Sequence, residues 1–157
     1  MKKILGILTA LMMAVCMTSC LEHDLEELEV YSDCDITGRD IYWRWVTDEV
    51  HPGTGAQKVK QVRLPYWSGA SVIDAENATA HIRYSVAQSG LDATQKAAFT
   101  ATKAVMVVTV STAATIKPID GAPELGVPGD WTKPNKYEVT AADGTKKVWT
   151  ITAECGD

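Results

Sequence analysis

The stretch that decides the fold reads KYEVTAADGTKKVWTIT and covers residues 136–152. Apolar and polar residues alternate on both sides of Asp143 and Gly144, so that Tyr137, Val139 and Ala141 share one face of the first strand and Trp149 and Ile151 share one face of the next. Asp-Gly between two alternating segments is the strongest short signal for a β-hairpin, because both turn positions favour positive φ. The sequence therefore predicts an antiparallel hairpin that turns at this pair.

Further strands are predicted before the hairpin. Alternating segments cover residues 36–47, 59–64 and 80–86. Residues 104–111 are apolar on both phases, which predicts a central strand, and residues 113–119 predict a short strand. Gly- and Pro-rich segments separate them, the longest being residues 120–134, and residues 91–98 form either a helical turn or a crossing loop. About seven short strands with turn signals between them predict an all-β fold, an antiparallel Ig-like β-sandwich covering residues 36–157.

The N-terminal segment MKKILGILTALMMAVCMTS, residues 1–19, has the pattern of a signal peptide. Two lysines precede an uncharged, mostly apolar core at residues 4–17, which is shorter than the roughly 20 apolar residues of a membrane-spanning helix. Small residues followed by Cys20 resemble a lipobox, and the resemblance implies cleavage before Cys20 and lipidation of it. Several acyl chains would then anchor the protein to a membrane. The alternative is an ordinary secretory signal followed by a chance cysteine.

Residues 20–35 begin with an acidic run that predicts a solvated tether. Its first acidic side chains are Glu22, Asp24, Glu26, Glu27 and Glu29. Acidic residues directly after the lipid-bearing cysteine resemble the export signal of Bacteroidetes-type surface lipoproteins. That resemblance implies an outer-membrane, lipid-anchored protein facing the cell surface. A plain linker and a short amphipathic helix are the alternatives for the same residues.

The charge of the chain argues against nucleic acid as a partner. The net charge is -5, with 15 basic and 20 acidic residues. Removal of residues 1–19 takes away two lysines and no acid, so the processed chain has a net charge of 13 − 20 = −7. Nucleic-acid binding requires basic patches that displace counterions. The mature chain is long enough for one domain with a core of its own.

Three cysteines remain after processing: Cys20, Cys34 and Cys155. With Cys20 lipidated, the other two form one possible disulfide that would join the two ends of the domain in a compartment that permits such bonds. The alternative is a pair of free thiols.

The segments ATIKPIDG, residues 114–121, and GDWTKPNKYEVTAADGTKKVWTI, residues 129–151, resemble the C-terminal half of Ig-like domains found in Bacteroidetes surface lipoproteins. Many members of that group occur in glycan-utilisation loci. The resemblance implies that Trp131, Tyr137 and Trp149 pack the core. It implies a link to carbohydrate by association only, because a fold does not define a function.

Catalytic chemistry has little support in the sequence. The histidines are His23, His51 and His81, and none lies in a recognisable nucleophile or zinc motif. We therefore expect no enzymatic activity, no catalytic residues, no metal and no cofactor.

Binding of a glycan or of a surface protein is the remaining functional hypothesis. Sugar rings stack on exposed aromatic side chains with polar neighbours, and Trp67 followed by Tyr66 are the best candidates, since they lie in a Gly/Ser turn outside any alternation. Packing over one end of the sandwich is their structural alternative. Trp43 and Trp45 are weaker candidates, because they share a strand face with Ile41 and are expected in the core. A structural or adhesive module with an exposed apolar patch is the competing class.

Overall fold

The structure is a computed structural model that describes residues 30–67 and 71–157. The predicted signal peptide, the lipidation site Cys20 and the tether as far as Glu29 lie outside these residues, as do Ser68 to Ala70.

The described residues form two packed β-sheets, which confirms the predicted all-β sandwich. Their strands are β1 Ile36–Val50, β2 Gln57–Arg63, β3 Val72–Asp74, β4 Thr79–Tyr84, β5 Ala104–Val110, β6 Thr115–Ile119, β7 Pro128–Gly129, β8 Asn135–Thr140 and β9 Lys146–Cys155. A helix, α1 Ala93–Ala98, and a 3-10 turn, Ala101–Lys103, connect β4 to β5. β3 and β7 are the very short strands that the sequence pattern did not predict.

The first sheet has the order β2-β1-β5-β7 and is antiparallel throughout. The second has the order β3-β4-β9-β8-β6, and within it β4 and β9 are parallel. The predicted antiparallel arrangement is therefore wrong for this one pair. Parallel strands require a crossover connection, and the connection between β4 and β9 contains α1, the 3-10 turn and strands β5 to β8.

The hairpin predicted at Asp143 and Gly144 is confirmed, but its turn differs from the expected one. The Gly144 amide donates to the Ala141 carbonyl at 3.0 Å, and the Ala141 amide donates to the Thr145 carbonyl at 2.8 Å. Only Gly144 of the pair has positive φ, at 89°. This is a three-residue loop with glycine in the left-handed region rather than a two-residue loop.

The core contains the three aromatic residues that the resemblance assigned to it. Trp131, Tyr137 and Trp149 are fully buried. Trp131 stacks on Tyr137 with ring centroids 6.2 Å apart, and the Trp149 indole donates to the Cys34 carbonyl at 2.9 Å. This bond spares the Trp149 indole the cost of an unpaired buried donor, whereas the Trp131 indole Nε1 is buried without a hydrogen-bond partner among the described residues.

The predicted disulfide is absent: Cys34 and Cys155 are both free thiols. The Cys34 carbonyl contacts the Trp149 side chain, and Cys155 lies six residues further along β9, which is about 20 Å at the rise of an extended strand. A disulfide requires Cα atoms within roughly 7 Å of each other. The direction of β9 thus keeps the two thiols apart.

The folded unit begins at Tyr31, earlier than the predicted boundary at residue 36. Asp35 continues the pairing of β1 with β5, because its amide donates to the Ser111 hydroxyl at 3.0 Å and its carbonyl accepts from the Ser111 amide at 2.9 Å. Its carboxylate also pairs with Lys147 at 2.6 Å. The last residues of the predicted tether are therefore part of the sandwich.

Candidate functional site

The chain passes from the first sheet to the edge of the second sheet directly after β2. Tyr66 forms a single bridge with Tyr84, and the Trp67 amide donates to the Arg83 carbonyl at 2.8 Å. On the same edge, the Ser71 hydroxyl accepts a hydrogen bond from the Arg83 amide at 2.9 Å and donates one to the Arg83 carbonyl at 3.2 Å. A side chain thus replaces backbone pairing here, and the edge of β4 is irregular.

Tyr66 and Trp67 point to opposite faces of the second sheet, because successive side chains of an extended strand alternate. Tyr66 lies on the same face as Tyr84, which is buried in the core. Trp67 lies on the outer face beside Arg83. The two best candidates from the sequence therefore do not form one aromatic surface.

The Tyr66 side chain is held by three residues of the first sheet, Arg39, Asp40 and Arg63, and we call these four residues the Tyr66 cluster. The Tyr66 hydroxyl donates to the Arg39 carbonyl and contacts the Asp40 carboxylate at 3.0 Å. The guanidinium carbons of Arg39 and Arg63 lie over the Tyr66 ring, 5.8 and 5.0 Å from its centroid. Burial, followed by the hydrogen bond to Asp40, raises the pKa of Tyr66. This ring is partly covered by cations and is not a free stacking surface.

Trp67 is half-buried, and its ring rests on the backbone of Gly156. A Cβ atom built on Gly156 would lie 2.5 to 2.9 Å from three side-chain atoms of Trp67. Distances below 3.0 Å are not tolerated, so this position needs glycine for the ring to lie where it does. Part of Trp67 stays accessible to solvent on the outer face of the sheet.

The residues just beyond β9 are fixed against β4. The Gly156 amide donates to the Tyr84 carbonyl at 2.8 Å. The Asp157 carboxylate accepts hydrogen bonds from the Ser85 hydroxyl at 2.5 Å and from the amides of Val86 and Ala87 at 2.5 and 2.6 Å. Partial desolvation opposes ionisation, but these hydrogen bonds hold the pKa of Asp157 below its ordinary value. The residues beneath Trp67 are therefore held to β4 by hydrogen bonds.

Polar side chains line β4 and β9 on the sheet face that follows from the position of Trp67 opposite Arg83. His81 and Arg83 on β4 lie beside Thr152 and Glu154 on β9, and together with Trp67 we call them the Trp67 platform. His81 Nδ1 lies 2.8 Å from the Thr152 hydroxyl. Glu154 is 3.7 Å from both His81 Nε2 and Arg83 Nη2, which is an ion-pair distance but beyond hydrogen-bonding reach.

Arg83 and Glu154 therefore keep most of their hydrogen-bonding capacity unused. Within the described part of the chain, Arg83 Nε is buried without a hydrogen-bond partner. An unpaired buried donor costs about 1–3 kcal/mol and calls for a physical explanation. Donors and an acceptor beside an aromatic ring can bind the hydroxyl groups of a sugar.

The two remaining sequence candidates lie on the inner face of β1. Trp43 is only 7% exposed and packs edge-on against Phe99, with ring centroids 5.4 Å apart. Trp45 is half-buried and packs against the same core. Trp43 is thus a core residue and cannot present its ring to a ligand.

Other kinds of site have no support in the residues that the structure describes. Over residues 30–67 and 71–157, no three His, Cys, Asp or Glu side chains are placed to hold a metal ion. In the same residues, no helix has both the length and the apolar character needed to cross a bilayer. His51 is exposed in the turn after β1.

The sequence analysis did not identify Arg83 or Glu154 as site residues. Alternation along residues 80–86 is consistent with an outward-facing Arg83. Arg83 lies beside Glu154 only because β4 pairs with β9 in parallel, and that pairing has no local signature in the sequence. The assignment of Trp67 to the same group required knowledge of the bridge at Tyr66.

Fold and platform together define a two-sheet β-sandwich module with an open aromatic and polar surface on one sheet. The chain belongs to the DUF5018-related family, whose model matches residues 36–152. It is 34% identical to a candidate secreted protein of Bacteroides fragilis of known crystal structure, with a TM-score of 0.71 over 82% of this chain and 100% of that chain.

A second crystal structure is more remote. It is a candidate glycoside hydrolase of Bacteroides thetaiotaomicron, 21% identical, with a TM-score of 0.46 over 82% of this chain and 26% of that chain. Similarity at this level carries no functional information. No curated protein matches the chain.

Proposed function

We propose that this protein is a lipid-anchored lipoprotein of the outer membrane, facing the cell surface, whose sandwich domain binds carbohydrate without catalysis and serves a glycan-utilisation system. The lipobox-like segment that ends at Cys20 supports the anchor. The similarity to a candidate secreted protein of Bacteroides fragilis supports an extracellular location. The Trp67 platform is the proposed binding site.

The single observation that carries the proposal is the partly buried Trp67 near Arg83 and Glu154, two side chains whose hydrogen-bonding capacity is largely unused. A sugar offers an apolar ring face and a surrounding set of hydroxyl groups. An aromatic ring with adjacent donors and acceptors matches both features. The ring is pre-positioned on Gly156, which reduces the entropy lost on binding.

The openness of the platform supports binding rather than catalysis. The side chains of His81, Arg83 and Glu154 are 36%, 34% and 57% exposed. General acid–base and nucleophilic catalysis gain their strength from sites that exclude water. A solvent-exposed sheet face does not provide such an environment, so we expect no turnover of a bound glycan.

The test uses the chain from residue 21 to residue 157, which contains the compact unit Tyr31–Asp157. A glycan array and affinity gels compare this protein with Trp67→Ala. The matched control is Tyr31→Ala, which removes an exposed aromatic ring elsewhere. We expect binding by the parent and the control and at least about a tenfold loss in Trp67→Ala, the size of one lost aromatic contact.

Circular dichroism and thermal unfolding must show that each variant is folded. Binding that survives in folded Trp67→Ala would move the site away from the platform. No binding to any glycan by the folded parent would refute a carbohydrate-binding function.

The proposed anchor is tested separately. Cys20→Ala should release the protein from the membrane fraction because no acyl chains are attached. Persistent membrane attachment of this variant would contradict lipidation at Cys20.

A protein-binding module is the second candidate, and the ribbon formed by β1 and β2 favours it. Val46, Val50 and Val59 are exposed there, and Val46 pairs directly with Val59. Exposed apolar groups on a projecting ribbon are typical of contact surfaces between proteins. Binding of a surface protein that is lost in Val46→Ser with Val59→Ser, with no glycan binding, would favour this class.

A further inference from the structure

Trp67 and Val72 lie at successive outward-facing positions beside β4. The Trp67 amide donates to the Arg83 carbonyl at 2.8 Å, and Val72 pairs with His81. Directly paired residues of antiparallel strands share a face of the sheet, so both side chains are on the outer face. Arg83 and His81 are two residues apart, so the two positions are separated by about 7 Å along β4, which is the scale of one sugar ring.

Each of these side chains begins a row of three residues that crosses the outer face of the sheet. Arg83 pairs with Glu154, and His81 pairs with Thr152. The first row is therefore Trp67, Arg83 and Glu154, and the second row is Val72, His81 and Thr152. In both rows an apolar side chain at the edge is followed by two polar side chains, so the face repeats the same chemistry twice.

The second row is open to solvent and has hydrogen-bonding capacity to spare. Val72 is 56% exposed, and the His81 side chain is 36% exposed. His81 Nδ1 lies 2.8 Å from the Thr152 hydroxyl, whereas Nε2 is 3.7 Å from the Glu154 carboxylate, beyond hydrogen-bonding reach. An exposed apolar group thus lies beside a ring nitrogen that can still bind a hydroxyl group.

The repetition ends after these two rows. The next outward position of β3 is Asp74, which pairs with Thr79. The Asp74 carboxylate accepts hydrogen bonds from the side chain and the amide of Asn77 at 2.7 and 3.0 Å, and these bonds hold the pKa of Asp74 below its ordinary value. A carboxylate held in its own turn offers no apolar surface to a sugar ring.

We propose that the Trp67 platform binds a chain of linked sugars rather than a single terminal sugar, and that Val72, His81 and Thr152 form a second subsite for the neighbouring ring. This inference rests on the proposed function, because it names the class of saccharide that the same site takes. One ring lies against Trp67, and the next lies against Val72 and exchanges hydrogen bonds with His81 Nε2 and the Thr152 hydroxyl. The saccharide lies on the outer face of β4 and β9.

The experiment measures affinity as a function of saccharide length. The probes are ladders of one to six units prepared from xylan, cellulose, starch, mannan and polygalacturonate, titrated by calorimetry, with competition measurements for the shortest members. The variant is Val72→Ser, which removes the apolar contact at an exposed position. Val148→Ser is the matched control, because Val148 is 49% exposed but pairs with Glu138, about 13 Å along β9 from Thr152.

We expect the parent to bind two linked units about tenfold more tightly than one, because the second ring adds an apolar contact and hydrogen bonds. Longer chains should add little, since the repetition stops at Asp74. Val72→Ser should reduce this gain by about three- to fivefold, as expected for one small and partly exposed apolar group, and should keep the affinity for a single unit. Trp67→Ala should weaken binding at every length, and Val148→Ser should behave like the parent.

Three results would overturn the inference, and they are distinguishable. Equal affinity of the parent for one unit and for longer chains would refute the second subsite and leave a carbohydrate-binding function intact. An unchanged dependence on length in folded Val72→Ser would refute the role of the second row alone. No binding of any ladder by the folded parent would refute both proposals.

Discussion

The hairpin of β8 and β9 and the irregular edge of β4 satisfy their polar groups differently. In the hairpin, the buried Trp149 indole has its acceptor, and Glu138 pairs with both Lys117 and Lys146 at 2.8 and 3.0 Å. At the β4 edge, Arg83 Nε is buried with no hydrogen-bond partner among the described residues.

This difference separates residues that stabilise the fold from residues that are available to a ligand. Polar groups in a fully paired element contribute to stability, and their loss is costly. Polar groups that the protein does not use contribute little, so their replacement should change binding and leave stability nearly unchanged. The following predictions test this separation, beginning with the largest effect.

Trp149→Ala should lower the free energy of unfolding by about 3–5 kcal/mol, because it opens a large cavity and removes the partner of the Cys34 carbonyl. Urea unfolding followed by circular dichroism measures this loss. Trp67→Ala is the comparison and should lose less than half as much, since Trp67 is only partly buried. Equal losses would show that the β4 edge is as important to stability as the hairpin.

Gly156→Ala should displace Trp67 and cost about 1–3 kcal/mol, because the new methyl group overlaps the ring. Glycan binding should fall together with a red shift of tryptophan emission. Gly90→Ala is the control, since a Cβ atom there meets nothing within 4 Å. Unchanged emission and stability in Gly156→Ala would place the Trp67 ring elsewhere.

Asp157→Asn should cost about 1 kcal/mol at neutral pH, the value of a charge-assisted hydrogen bond reduced by solvent screening. The pKa of Asp157 is lowered from 3.8 in the folded protein, so the carboxylate stabilises the fold above pH 3.8. This contribution is lost as the pH falls through the lowered value. Thermal unfolding of both proteins from pH 7 to pH 2 should show the difference narrowing with acidity, and a constant difference would exclude this linkage.

Arg83→Met should have the smallest effect on stability, within about 0.5 kcal/mol of zero or slightly stabilising, because it removes an unpaired buried donor and keeps an aliphatic chain. Glycan binding should nevertheless decrease by about tenfold, since charge-assisted contacts to the sugar are lost. Differential scanning calorimetry and affinity gels provide the two readouts. A loss of several kcal/mol would mean that Arg83 has a structural role.

Local patterns in the sequence were sufficient for most of the fold. Alternation around Asp143 and Gly144 predicted β8 and β9, and the family resemblance implied that Trp131, Tyr137 and Trp149 pack the core. The turn geometry was wrong in detail because Ala142 and Asp143 form the turn and only Gly144 needs the left-handed region.

Features that depend on distant residues were not predictable in this way. The parallel pairing of β4 with β9 joins residues such as His81 and Thr152, which are 71 positions apart, and nothing local indicates it. The predicted disulfide between Cys34 and Cys155 was wrong for the same reason, because the distance between the two thiols depends on the direction in which β9 runs. The site was predicted only in part. The sequence analysis named Trp67 as a candidate, but its polar neighbours are brought together by the long-range pairing of β4 with β9.

The parallel pairing of β4 and β9 also has a consequence for the order of folding. The platform combines residues near position 67, residues of β4 and residues at the end of β9, so it depends on contacts of very large sequence separation. Such contacts form slowly, because loop closure has to precede any gain from them. During synthesis the site can exist only after the last strand has joined the sheet. A ligand of the platform would therefore recognise completed molecules and ignore nascent or truncated ones.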